Sequence, residues 1–280
     1  KRDRDSGDKW RAGINDHRDR RQSVWRKRGQ LNRELIWDIN VQGTPGLWRV
    51  HDTIQAIEDD LKRPGVVMMQ EIRPPKGELV TIQLAWQRLG YYTYVQEGEL
   101  SKGRWDTDHA VGGVMTCVHK RLRQCLVSKA KHGVAQQITV RMGKWKLSNL
   151  YGPPRRREDL EHLVVEVMVA ANNDKLLIGA DWNETGDGHM ARLLHQLPAR
   201  PVPFEEGADD ATRWEGTERI DWFVTNAQDD VSRTKILPDK LSDHKLLEVG
   251  FKDSKDQVAG VTVIDMGTKW TCPCLLYTSD

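Results

Sequence analysis

Short apolar, β-prone runs in this chain repeatedly stop at a polar residue beside a turn. LIWDIN closes on Asn40, VVMMQ is followed by Glu71, and KLSNL by Tyr151. LLIGA is followed by Asp181 and Asn183, Asp221 opens a further run, and Asp243-His244 precede the last. Runs this short and rich in Val, Ile and Leu suit buried strands rather than helices. A strand end is held by a rigid sheet yet faces a loop-lined edge where a substrate can enter. One acid after a strand is an ordinary cap or turn former. Six sites carrying Asn, Glu, Tyr, Asp and His ask for a shared purpose.

Helical patterns fall between the strands. Val50, Ile54, Ile57 and Leu61 recur at helical spacing over 48–61, before Pro64-Gly65. A second helix is predicted over 79–89, and the clearest carries Leu160, Leu163, Val164, Val167, Met168 and Ala171 as one stripe. A short one lies at 189–197. Strands are expected at 35–40, 66–70, 91–95, 111–119, 136–142, 145–150, 176–180, 219–225, 231–236 and 245–251, with a Gly143-Lys144 hairpin turn. Strands that pair locally, interleaved with crossing helices, predict an α/β fold, two layered sheets with helices outside.

Charge divides the chain. Residues 1–33 carry twelve Lys/Arg and five Asp, a net +7 within a chain of net +2, so the remainder is about −5. This leader reads as a solvated, disordered arm that can add attraction to phosphate backbones. The ordered domain is expected over 34–252 and a tail over 253–280. The residues at 274–280 resemble translated sequencing-adapter read-through, and a start at Lys1 suits a fragment of a longer polyprotein. No apolar run approaches the roughly 18 residues of a membrane span, so no membrane partner is expected. Cys117, Cys125, Cys272 and Cys274 form neither a disulfide framework nor a zinc pattern, which implies a reducing, intracellular setting.

The polar strand-end residues suit phosphodiester hydrolysis, which needs a cation on anionic oxygens, an oriented water and donors for developing charge. Glu71 and Asp181 offer carboxylates for Mg²⁺. His244 can orient or deprotonate water, with an acid such as Asp221 fixing its tautomer. Tyr151, Asn40 and Asn183 supply neutral donors.

The same residues carry a resemblance. Asn40-Val41-Gln42-Gly43, Gln70-Glu71, Gly112-Gly113-Val114, Asn149-Leu150-Tyr151-Gly152-Pro153, Gly179-Ala180-Asp181-Trp182-Asn183, Arg219-Ile220-Asp221-Trp222 and Ser242-Asp243-His244 resemble, in order, the motifs of the endonuclease/exonuclease/phosphatase superfamily. The resemblance implies a four-layer α/β sandwich and a Mg²⁺-dependent hydrolase, with Mn²⁺ as an alternative ion. It implies Glu71 as main metal ligand, assisted by Asn40 and Asp243, with Asp181 handling a proton and Asn183 placing the phosphate. Asp221 and His244 would form a dyad, and Tyr151 would donate to the phosphate. Pro154 stands where abasic-site repair enzymes have an asparagine. Tyr-x-Pro-Pro and Thr212-Arg213-Trp214 are more similar to endonuclease domains of non-LTR retrotransposons. That implies DNA as partner, a reverse transcriptase in the longer chain, and a nuclear location for a eukaryotic element. A phosphomonoesterase or lipid-headgroup phosphodiesterase of the superfamily stays open, as does an inactive nucleic-acid-binding domain.

Four further residues are candidates for substrate contact. Arg155 and Arg157 begin a helix, where cations oppose the dipole and a phosphate would relieve them. Trp182 and Trp214 flank motifs and offer faces for base stacking, against the alternative of core packing. His109, His119, His132, His162 and His195 lie outside the motifs and read as surface or packing residues.

Overall fold

The computed structural model describes residues 34–252, apart from 76, 103–107, 123, 153–156, 186–187 and 209–210. The leader at 1–33, the tail at 253–280 and Arg155 therefore lie outside the described residues. In chain order the strands are β1 (Leu35–Asn40), β2 (Val66–Gln70), β3 (Tyr91–Gln96), β4 (Glu99–Lys102), β5 (Asp108–Val111), β6 (Val114–His119) and β7 (Cys125–His132). They continue with β8 (Ala135–Met142), β9 (Trp145–Tyr151), β10 (Lys175–Asp181), β11 (Arg200–Pro201), β12 (Asp221–Thr225), β13 (Lys235–Leu237) and β14 (Leu246–Gly250). The α-helices are α1 (Thr44–Gln55), α2 (Leu79–Arg88), α3 (Arg157–Ala171) and α4 (His189–Gln196).

Two six-stranded sheets result, in the orders β13-β14-β1-β2-β6-β3 and β11-β12-β10-β9-β8-β7, beside a separate β4–β5 hairpin. Period-two alternation gives each central strand one face toward the other sheet and one toward helices. Ile36, Met68, Val114, Val140, Leu147, Leu177 and Phe223 meet in the core between the sheets. On the far side of the first sheet, Leu47, Val50, Ile54, Ile82 and Trp86 pack on Trp37, Ile39, Val67 and Met69. On the far side of the second, Leu160, Leu163, Val164 and Val167 cover Leu150, Leu176, Ile178 and Ala180. The architecture is the expected four-layer α/β sandwich.

Topology brings the strand ends together. β1 and β2 are parallel neighbours separated in sequence by α1, and β9 and β10 are parallel neighbours separated by α3. Parallel strands finish at one edge, so Asn40 lies opposite Gln70 and Tyr151 opposite Asp181. β12 and β14 run antiparallel to β10 and β1, so their beginnings reach the same edge, with Asp221 opposite Asp181.

Several boundaries differ from the sequence expectation. The first helix starts earlier, with Pro45 in its first turn, where its missing N–H costs nothing. It ends at Gln55, and Leu61 is exposed in a turn where the Asp59 side chain accepts from its backbone N–H. The strand expected over 111–119 is broken at Gly112-Gly113, both at positive φ (76° and 92°). A Cβ on Gly112 would come within 2.9 Å of the Tyr151 ring, so the break makes room for that residue. Only 235–237 of the region around 231–236 is a strand; Val231 and Thr234 make isolated bridges instead. β7 and the β4–β5 hairpin lie outside the expected strands, because their sequences carry no sustained apolar alternation.

Candidate active site

The inward residues grow more polar toward the convergent edge. Below the edge, Gln70 Nε2 donates to Asp38 Oδ1 (2.7 Å) and to Asn149 Oδ1 (2.9 Å). Asn149 Nδ2 in turn donates to the Met115 carbonyl (3.0 Å). These bonds lace the two sheets together where apolar packing stops. Gly179 sits opposite; a Cβ there would lie 2.7 Å from Asp38 Oδ1, so close approach requires glycine. Burial holds the Asp38 carboxyl well above the usual carboxylate range.

At the edge, Asp181, Asp221 and His244 are all buried, and one ligand atom from each lies within 4.8 Å of the others. His244 Nδ1 donates to both Asp221 oxygens (3.0 and 2.9 Å), which leaves Nε2 facing the other way, 4.0 Å from Asp243 Oδ1. Burial opposes the imidazolium charge, but Asp221, joined by Asp181 and Asp243, outweighs it and raises His244 to about 9. Asp181 Oδ2 accepts from Asn40 Nδ2 (2.8 Å), and Oδ1 accepts from the Asn183 backbone N–H (3.0 Å). Burial pushes Asp181 up to about 7, aided by the nearby Asp221 and opposed by His244, Asn40 and Asn183. An acid poised at neutrality beside an imidazolium is suited to moving a proton.

Two hydroxyls fix this cluster. Ser242 Oγ donates to the Asn40 carbonyl (2.6 Å) and accepts from the His244 N–H (2.9 Å), which ties the loop before β14 to the end of β1. Thr212 Oγ1 accepts from the N–H groups of Ile220 (3.0 Å) and Asp221 (3.1 Å), fixing where β12 begins. Asn183 is left-handed (φ 52°), and its side chain donates to the Gly152 carbonyl (3.2 Å).

The remaining edge is more open. Tyr151 Oη donates to Glu71 Oε1 (2.6 Å), and Arg73 pairs with Glu71 Oε2. Burial and the Glu71 charge raise the Tyr151 phenol above its ordinary range, so it remains a donor. Asp243 Oδ2 accepts from Gln42 Nε2 (2.7 Å) and Arg213 Nη2 (2.7 Å). Asp243 Oδ1 is buried and has no hydrogen-bond partner.

That orphaned oxygen, the Glu71 carboxylate and Asn40 Oδ1 all offer oxygen donors, the chemistry that suits a hard divalent cation such as Mg²⁺ or Mn²⁺. Asp181, Asp221 and His244 are close enough to ligate as well. Their oxygens and Nδ1 bond to one another and to Asn40 and Asn183, just as the Glu71 oxygens bond to Tyr151 and Arg73 and Asn40 Oδ1 accepts from the Gln42 N–H.

Bonded pairs thus join Asn40 to Asp181, Glu71 to Tyr151 and Asp221 to His244, all at the edge where sequence placed them. Two tryptophans fall elsewhere. Trp182 is only 2% exposed, stacks on Trp222 at 4.5 Å and donates its N–H to the Trp222 carbonyl (2.7 Å). It is core, and its expected role as a base platform is corrected. Trp214 is partly buried between Lys240 and Lys245, whose amines lie 5.9 and 5.2 Å from the ring. It lines a cleft of about 380 Å³ with Glu205, Glu206, Ile236 and Leu237. Arg213 and His244 pair across an antiparallel bridge and point into the site, so their neighbours Trp214 and Lys245 project from its reverse face. Arg157 is exposed, 3.6 Å from Glu184. Arg73, Arg213 and Gln42 were missed as site residues. Arg73 had a local signal, a cation two residues after Glu71 and just before Pro74-Pro75.

The chain matches the model of the Endonuclease/Exonuclease/phosphatase family over residues 37–244. It belongs to that family, whose members are hydrolases of phosphoester bonds and are generally divalent-metal dependent. Among solved structures, the human Nocturnin catalytic domain with bound sulfate is similar at TM-score 0.58 and 14% identity, over 79% of this chain and 94% of that one. A family protein from Leptotrichia buccalis is similar at TM-score 0.58 and 15% identity, over 79% and 100%. One from Bacteroides thetaiotaomicron gives 0.55 and 11%, over 80% and 99%. These likenesses concern the fold. No curated protein matches by sequence.

Proposed function

We propose that the chain is a divalent-metal-dependent DNA-nicking endonuclease of retrotransposon type. The observation that carries the reading is the convergence of a poised acid, Asp181, with the Asp221–His244 pair, beside an oxygen set built on Glu71 and Asp243. A bound cation would supply charge neutralisation at a phosphate oxygen. The chain's own residues do the rest. Asp181 accepts a proton from water or returns one to the leaving oxygen. His244 offers Nε2–H to developing negative charge, and Asp221 keeps that imidazole protonated and oriented. Tyr151 holds Glu71 in place, and Asn183 stands beside Asp181 as a neutral donor.

DNA as the substrate is supported by the Tyr151-Gly152-Pro153-Pro154 and Thr212-Arg213-Trp214 sequences and by the basic leader at 1–33. The same resemblance favours Mg²⁺ as the ion, a reverse transcriptase in the longer chain and a nuclear site of action. The test is incubation with supercoiled plasmid and Mg²⁺, with and without chelator. Conversion to the open circle that stops on chelation is expected. An intact plasmid together with turnover of a phosphomonoester or lipid headgroup would overturn the DNA reading.

A further inference from the structure

The segment between β2 and α2 turns on itself in an unusual way. Glu71 (φ 53°) and Arg73 (φ 36°) are both left-handed without being glycine, a conformation few such residues adopt. Ile72 between them is fully buried. The turn is fastened at three points: Gly43 N–H to the Glu71 carbonyl (2.6 Å), Ile72 N–H to the Gly113 carbonyl (3.2 Å), and Thr44 Oγ1 to the Arg73 carbonyl (3.0 Å). Its effect is to bring the Arg73 guanidinium back onto Glu71 Oε2. The Glu71 side chain is 12% exposed and that of Arg73 is 42% exposed, so the arginine is the outer partner.

A guanidinium cannot be titrated away near neutrality; it can only be displaced. A divalent cation on Glu71 would repel it, and the long side chain can swing outward without breaking the bonds that fasten its backbone. We propose that Arg73 is a resident counterion. It holds Glu71 in the metal-free enzyme, yields when the cation binds, and is thereby delivered to a backbone phosphate of the substrate. This rests on Glu71 being a cation ligand. It adds that Arg73 weakens metal binding and strengthens substrate binding, so removing its charge should move the two affinities in opposite directions.

The experiment uses Arg73→Gln, with Arg73→Lys as the variant that keeps the charge. Mn²⁺ is titrated calorimetrically into the DNA-free chain. Separately, binding of a DNA duplex is measured across a salt series at saturating Mn²⁺ in a His244→Ala background, which limits cleavage. Arg73→Gln should bind Mn²⁺ roughly two- to fivefold more tightly, as expected for loss of one partly exposed charge. It should bind DNA more weakly, with the slope of log affinity against log salt reduced by about 0.9. Arg73→Lys should stay near the parent in both. Mn²⁺ affinity that is unchanged or weaker in Arg73→Gln overturns the counterion role and leaves Arg73 as a brace for Glu71. An unchanged salt slope overturns the delivery to phosphate. Glu71→Gln separates the two levels: Mn²⁺ binding that survives it undoes the cation-site reading itself, whatever Arg73 does.

Discussion

The four carboxylates at the convergent edge are neutralised in two different ways. Glu71 and Asp243, nearer solvent, each meet an arginine. Asp181 and Asp221, 1% exposed, instead meet a histidine, an asparagine side chain and backbone N–H groups. Depth explains the division. An unpaired buried charge is expensive, so the inner acids are held by close hydrogen bonds from Asn40, Asn183 and His244. The outer acids can afford a permanent cation on a flexible stem, one that another cation can displace. On the proposed reading, the inner half moves a proton and the outer half exchanges a cation.

The largest effects should come from the inner half. His244→Ala should lower turnover by roughly 10²–10⁴, the range for acid–base groups, and extra Mg²⁺ should not restore it. Asp221→Asn combined with His244→Ala should cost little beyond the worse single change, because the pair acts as one unit. Turnover of the single and double variants on one nicking substrate, across a Mg²⁺ series, checks both statements. Additive losses, or rescue by metal, would erase the distinction between the halves.

The outer half should behave oppositely. Tyr151→Phe removes the 2.6 Å bond to Glu71 while keeping the ring that packs on Gly112. Half-maximal rate should then need about 10–100-fold more Mg²⁺, the usual cost of losing a partner behind a metal ligand. Saturating metal should recover most of the rate. A turnover defect that persists at saturating Mg²⁺ would place Tyr151 with the inner half instead.

The strand-end pattern made much of the site legible in sequence because topology fixes where strands end. Asp181, Tyr151 and Asp221 share one register, and any sandwich that pairs β9, β10 and β12 must bring them together. The long helix was equally readable: Leu160, Leu163, Val164, Val167, Met168 and Ala171 are all buried, as their spacing requires. What the sequence hid depends on side chains reaching across loops. Gln42, Arg73 and Arg213 find their carboxylates through local turns and one isolated bridge, which no periodicity encodes. Trp182 misled for a related reason. Its place beside Asp181 suggests a substrate platform, yet alternation along β10 turns the residue after an inward aspartate toward the helical layer.

Acidity offers a sharper probe of the inner half. His244 is raised to about 9, so the folded state binds this proton more tightly than the unfolded chain does. Its stabilising effect is complete below about pH 6.5 and is lost as pH rises toward 9. Asp181 is raised from 3.8 to about 7, and its proton contribution is lost in the same direction between those values. The rate should climb as Asp181 ionises near 7 and fall as His244 loses its proton near 9. Asp221→Asn should move the alkaline limb down by about 1–3 units, because the charge that favours imidazolium is gone. An alkaline limb that stays at about 9 in this variant would mean that it does not report His244.

The smallest effect belongs to Arg157, which borders the inner half without entering it. Among the described residues its ionic partner is Glu184 at 3.6 Å, which also caps α4 by accepting from the Met190 N–H. Arg157→Ala therefore leaves Glu184 with its cap, and a 56%-exposed side chain loses one loose ion pair. Stability should change by no more than about 0.5 kcal/mol, as for most exposed pairs. The site of the loss still matters, because the N-terminal end of α3 favours anions and Glu184 follows directly on Asn183. A phosphate flanking the reacting one would meet this arginine, and binding should then register its absence. Expected is weaker DNA binding with a salt slope reduced by about 0.9 and turnover at saturation unchanged. Denaturant melts and a salt series on the same protein test both parts. A slope equal to the parent's would confine Arg157 to its surface pair and leave the outer arginines as the cations that meet the backbone.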